Sequence, residues 1–187
     1  MEDRRVRRTR KSIYTALASL LTEKEVHQIK VKELCERADI NKSTFYLHFL
    51  DIYDCKEKWQ EEIFEEMIAS AGDMNIAKII ADPADSVKSV VAFFNKDIVF
   101  YKKLLASPFA AEFCMNLKVK LGEAILRDNR EGFDQVSASM ITFIICGVID
   151  ACVLDLTYYK SEDITASLDM IQQGIANLVN WWNANRA

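Results

Sequence analysis

Apolar residues recur at helical spacing along nearly the whole chain. Ile13, Ala16, Leu17, Leu20 and Leu21 follow i, i+3, i+4, i+7, i+8 and predict an amphipathic helix of about three turns, with Thr9 as its N-cap. After a polar stretch from Thr22 to Lys30, Val31, Leu34, Cys35 and Ala38 repeat the pattern over two turns. Asn41 then stands where a third short helix, Lys42 to about His48, needs a capping oxygen. An apolar face through Cys55, Trp59, Ile63 and Met67 predicts a longer helix from Asp51 to about Ser70.

The remaining segments read the same way. Helices are expected over Ser86 to about Phe94, around Ile98–Leu105, and from Phe109, just past the boundary residue Pro108, to about Arg127. Val136–Tyr159 is apolar on most sides, and Ile164–Ala184 carries Leu168, Ile171, Ile175, Leu178, Val179 and Trp182 in helical register. No alternating strand pattern and no repeat is present, so the expected fold class is all-α. Two short helices about three or four residues apart, braced by a preceding helix, outline a helix-turn-helix. The expected organisation is a head over residues 1–50 and a helical body over 51–187.

Composition narrows the function classes. Of the 187 residues 50% are apolar, which excludes a disordered chain, and 5 Gly with 2 Pro argue against a loop-rich β fold. Five cysteines with no C-x-x-C pair, and only His27 and His48, give no basis for a disulfide framework or a zinc site; a reducing cytoplasm is the expected location. No apolar segment of signal-peptide type follows Met1–Lys11, and the most apolar run, Met140–Leu156, contains Asp150 and Asp155, so no membrane span is expected. G-x-S-x-G, H-E-x-x-H and a Gly-rich phosphate loop are all missing, so no enzyme, cofactor or metal is expected.

Charge separates head from body. Residues 1–48 hold 11 Lys+Arg against 7 Asp+Glu, whereas 49–187 hold 13 against 21. A basic head on an acidic body suits a polyanionic partner. Arg4, Arg5, Arg7, Arg8, Arg10 and Lys11 crowd the start of the first helix, where cations oppose the helix dipole. They read either as a solvated tail or as contacts to a DNA backbone or minor groove, with Arg7 and Arg8 the candidates.

The string Ile29-Lys30-Val31-Lys32-Glu33-Leu34-Cys35-Glu36-Arg37-Ala38-Asp39-Ile40-Asn41-Lys42-Ser43-Thr44-Phe45-Tyr46-Leu47-His48-Phe49 resembles the DNA-binding domain of TetR/AcrR-family transcriptional regulators, most specifically at Thr-Phe-Tyr-x-His-Phe. The resemblance covers about residues 8–60. It implies a homodimer on a pseudo-palindromic double-stranded operator, acting as a repressor released by an unidentified small-molecule effector. The DNA contacts it implies are Lys30, Lys32, Asn41, Lys42, Ser43, Thr44, Tyr46, Leu47 and His48. Tyr46 and His48 would serve as phosphate contacts, and Phe45 and Phe49 as inward anchors. Three positions depart from the family pattern: Asp39 replaces the usual turn Gly, Lys30 the usual capping Thr, and Ile52 a frequent Lys. At Ile52 a phosphate contact is lost, although free amides at that helix start still offer an anion site. These departures leave open a second reading, a coactivator that binds another regulator and DNA only weakly.

In the body, Trp59, Phe94, Tyr101, Phe113, Phe143, Cys146 and Asp150 are the candidate effector-pocket residues, with plain core packing as the alternative for each aromatic ring. No Lys or Arg lies between Gly132 and Tyr159 to pair with Asp150 locally, so a ligand, a partner side chain or water should face it. The resemblance places the dimer interface on the last two helices, at Val148, Cys152, Leu168, Ile171, Ile175, Leu178 and Trp182.

Overall fold

The computed structural model describes residues 4–71, 83–128, 135–159 and 168–184, and every regular element among them is helical. The elements are α1 (Arg4–Leu21), a 3-10 turn (Val26–Gln28), α2 (Val31–Ala38), α3 (Lys42–His48), α4 (Ile52–Ala71), α5 (Pro83–Asn95), α6 (Ile98–Leu105), α7 (Ala110–Asp128), α8 (Gln135–Thr157) and α9 (Leu168–Ala184). The expected start of the last helix at Ile164 lies outside the described residues. No helix among the described residues is long and apolar enough to cross a membrane.

Helix α1 begins earlier than its apolar stripe suggests. Thr9 sits inside it instead of capping it, because the arginines before it are good helix formers and no Gly or Pro interrupts them.

The chain divides into two compact units. The first comprises Met1–Ile63 and Lys103–Phe113, so it takes in the opening turns of α4 as well as the three short-spaced helices. Its core joins Ile13, Leu17, Leu20 and Leu21 of α1 to Leu34, Cys35 and Ala38 of α2 and to Phe45 of α3. Phe49, Ile52, Cys55, Trp59, Phe109 and Phe113 are buried in the same unit. Arg10 of α1 pairs with Glu62 of α4, and Lys56 pairs with Glu112 while lying 5.8 Å from the Phe109 ring centre.

The second unit, Phe64–Lys102 and Cys114–Ala187, packs α5 against α8 and α9. Val91, Phe93 and Phe94 of α5, Ile144, Val148, Ile149 and Cys152 of α8, and Ile175 and Val179 of α9 are buried there. Burial pushes the Cys152 thiol up to about 12, as expected of a cysteine that only fills space.

Candidate nucleic-acid interface

Helix α2 ends in a turn that aims α3. Asp39 has φ 55° and ψ 49°, the one positive φ outside glycine among the described residues. That left-handed residue lets the Ile40 amide donate to Cys35 O at 3.0 Å and the Asp39 amide donate to Glu36 O at 3.4 Å, the two bonds of a Schellman ending. Ser12 of α1 donates to Ala38 O, the adjacent carbonyl, at 2.8 Å. Lys30 occupies the N-cap of α2 in extended conformation and makes no capping bond.

Asn41 starts α3. Its Oδ1 accepts from the Thr44 amide at 2.8 Å, and the Ser43 and Thr44 hydroxyls donate to the same oxygen at 2.6 and 2.8 Å. The two hydroxyls therefore keep lone pairs directed away from Asn41 as acceptors. Phe45 and Phe49 anchor the helix from beneath, with ring centres 5.6 Å apart and Phe49 5.6 Å from Tyr14 of α1. Lys42, Ser43, Tyr46 and Leu47 are exposed on the other side, and Thr44 and His48 are half-buried.

The head's cations fall into two groups. Arg37 is paired with Glu23, Lys24 with Glu33 at 2.7 Å, and exposed Lys32 loosely with Glu36 at 3.7 Å. Arg7, Arg8, Lys30 and Lys42 are exposed and make no ion pair among the described residues.

The start of α4 differs from expectation. Asp51 Oδ1 accepts from the Asp54 amide at 2.9 Å, and Asp54 Oδ2 accepts from the Leu50 amide at 2.9 Å and pairs with Lys58 at 3.0 Å. Burial alone would raise the Asp54 carboxyl, but the Leu50 amide and Lys58 ammonium outweigh it and hold the group below its ordinary value. Asp51 thus caps one of the first-turn amides expected to be open to an anion, Asp54 holds the Leu50 amide that precedes the helix, and Ile52 is buried. Beside them Leu50 is 81% exposed and Tyr53 48%, two surface residues that helical periodicity did not single out.

The expected pocket residues are divided between the two units. Trp59 and Phe113 are buried in the first unit, 6.4 Å apart, with Phe109 beside both. Phe94 and Tyr101 are buried in the second, 5.1 Å apart and edge to face. Burial raises the Tyr101 phenol, which stays protonated at neutral pH. Cys146 is half-buried, and Phe143 is 68% exposed rather than enclosed. Asp150 is exposed and has a partner after all, Lys118 of α7, too distant in sequence for local charge reading to find.

The expected interface residues differ in their burial within the single chain. Val148, Cys152 and Ile175 face the chain's own core, while Ile171 and Leu178 are half-buried; the side chains of Leu168 and Trp182 lie outside what is described. Among the described side chains of α8 and α9, the exposed large apolar ones are Phe143, Leu154 and Trp181. Gly147 of α8 and Gly174 of α9 have open space where a side chain would stand.

No family model matches the chain, and no curated relative is similar to it in sequence. Solved structures do resemble it. A TetR-family regulator from Syntrophomonas wolfei aligns over 92% of this chain and 95% of its own with TM-score 0.69 and 15% identity. The fatty acid degradation regulator FadR from Bacillus halodurans aligns over 90% and 94% with TM-score 0.61 and 17% identity. The dihydroxyacetone kinase operon activator DhaS aligns over 92% and 97% with TM-score 0.61 and 16% identity. The chain has the fold of TetR/AcrR-type regulators.

Proposed function

We propose that the chain is a cytoplasmic, DNA-binding transcriptional regulator that acts as a homodimer on a pseudo-palindromic operator. The observation that carries this reading is α3. Phe45 and Phe49 lock it down, while Lys42, Ser43, Tyr46 and Leu47 are exposed, as is Lys30 at the N-cap of α2. A rigid helix bearing cationic, hydroxyl and phenolic groups suits a major groove, with Tyr46 and His48 on phosphates and Lys42, Ser43 and Thr44 toward base edges. Arg7, Arg8, Lys30 and Lys32 add backbone contacts. The Nδ2 of Asn41 is left over for a base or phosphate after its oxygen has capped the helix.

Dimerisation through α8 and α9 would cover Phe143, Leu154 and Trp181, with Gly147 and Gly174 letting a partner helix approach closely. A two-fold pair matches a two-fold operator. The regulator is proposed to be a repressor released by a small molecule, with the Phe94–Tyr101 cluster of the second unit as the effector contact and the Tyr101 phenol as its polar anchor. Release requires the effector to prefer one of two arrangements of the pair, not merely to bind.

A second reading follows from the start of α4. With Ile52 in place of a frequent Lys and Asp51 and Asp54 at the helix start, a coactivator that binds another regulator is the alternative, and DhaS is itself named an activator. Selection of random duplex DNA with the purified full chain separates the two. A regulator enriches a pseudo-palindrome, and Tyr46→Ala or His48→Ala then weakens operator and unrelated DNA alike, whereas Lys42→Ala or Thr44→Ala lowers the preference between them. A coactivator enriches nothing.

A further inference from the structure

Among the described residues of the first unit, every exposed large hydrophobic side chain lies within eight residues of sequence: Tyr46 at 56%, Leu47 at 82%, Leu50 at 81% and Tyr53 at 48%. Scattered single leucines on a surface carry no message, but exposed apolar residues confined to one short segment call for an explanation. The four do not share one environment. Leu50 and Tyr53 flank the carboxylates of Asp51 and Asp54, which repel a nucleic acid. Leu47 instead stands on α3 with Lys42, Ser43 and Thr44 in the turn before it.

Its place on that helix is specific. At about 100° per residue, Leu47 lies roughly 180° around the axis from the line joining buried Phe45 and Phe49. Ser43 and Thr44, one turn earlier, flank it on either side. Leu47 is therefore the outermost point of α3, the position that would enter a groove deepest. A leucine there can neither donate nor accept a hydrogen bond. At the major-groove edge of the four standard bases, the one apolar group is the C5-methyl of thymine.

We infer that Leu47 is a specificity-determining residue that reads a thymine methyl, so each half-site of the operator contains an A·T pair whose thymine faces Leu47. The inference rests on the DNA-binding reading above and names what the centre of its interface recognises. Lys42 and the neighbouring hydroxyls supply the polar contacts around it. Leu50, beside the carboxylates, stays outside the groove.

The test replaces thymine by uracil, which removes only the methyl. Starting from the duplex enriched by the full-length protein, each thymine is exchanged singly and affinity is measured by fluorescence anisotropy. One position per half-site should lose about fourfold, equivalent to ~0.8 kcal/mol for one buried methyl-sized group. That loss should disappear in Leu47→Ala, which is safe for folding at so exposed a site, and persist in the control Leu50→Ala. At the same position 5-methylcytosine should be tolerated better than cytosine. If the enriched duplex binds tightly and no uracil exchange matters, or if the penalty survives in Leu47→Ala, the inference is overturned while DNA binding stands. If no duplex is enriched and Leu47→Ala instead abolishes association with another regulator, the DNA-binding reading fails as well and the patch belongs to a protein partner.

Discussion

Replacing Asp39 should stabilise the protein if the replacement accepts a left-handed backbone, and destabilise it if the replacement resists one. For an ordinary L residue this conformation costs ~1–2 kcal/mol; aspartate bears somewhat less because its short side chain tolerates it. Asp39 is exposed and its side chain makes no hydrogen bond or ion pair among the described residues, so removing it sacrifices no contact. Its charge also sits at the C-terminal end of α2, where the dipole is negative and repulsion costs ~0.3–1 kcal/mol. Asp39→Gly relieves both terms but adds ~0.5–1 kcal/mol of unfolded-state entropy, leaving a net gain of ~0.5–1.5 kcal/mol. Asp39→Asn relieves only the charge, a gain of ~0.3–1 kcal/mol that 1 M salt should erase. Asp39→Val forces a β-branched residue into the left-handed region, which outweighs the relieved charge, and should lose stability by up to ~1 kcal/mol. Urea unfolding at fixed protomer concentration measures all three. A Val variant as stable as the parent, or a Gly variant less stable, would refute the reasoning.

Three further outcomes follow. Glu112→Ala leaves the Lys56 ammonium, whose side chain is only 10% exposed, without its carboxylate and should cost ~1–3 kcal/mol, whereas Lys56→Met should cost under ~1 kcal/mol; equal losses in urea would contradict this. Because the fold lowers the Asp54 carboxyl, its stabilisation is complete above the unfolded value near pH ~4 and fades as pH falls through the folded value. Asp54→Asn should therefore be less stable than the parent at pH 7 and converge with it in acid, a convergence that pH-dependent melting would reveal or deny. Phe143→Glu or Trp181→Glu should halve the sedimenting mass at micromolar concentration with helicity intact; an unaltered dimer would move the interface elsewhere.

The head was legible in the sequence because each of its cues is local. Asn41 announces its helix by being the right cap three residues before Thr44, and Phe45 and Phe49 announce their inward side by i, i+4 spacing. Asp39 could be placed at the turn because its neighbours fix α2 and α3 to within a residue. The body resisted the same reading. Helix α8 is apolar on most sides, so periodicity cannot tell Val148 and Cys152, which face inward, from Phe143 and Leu154, which face out. Asp150 looked unpartnered because its partner Lys118 belongs to another helix. Leu50 and Tyr53 went unnoticed for a related reason: an exposed apolar residue in a connector or in the first turn of a helix leaves no pattern to detect.

Titration of the full-length protein with an unrelated-sequence duplex at 50 and 200 mM salt tests DNA binding most directly, because it asks only whether the head holds a polyanion. Contacts from Arg7, Arg8, Lys30, Lys42 and their two-fold copies should give micromolar binding at the lower salt and a fall of about 10³-fold or more at the higher. Binding absent at 50 mM, or unchanged between the two, would contradict the assignment of this chain as a DNA-binding regulator.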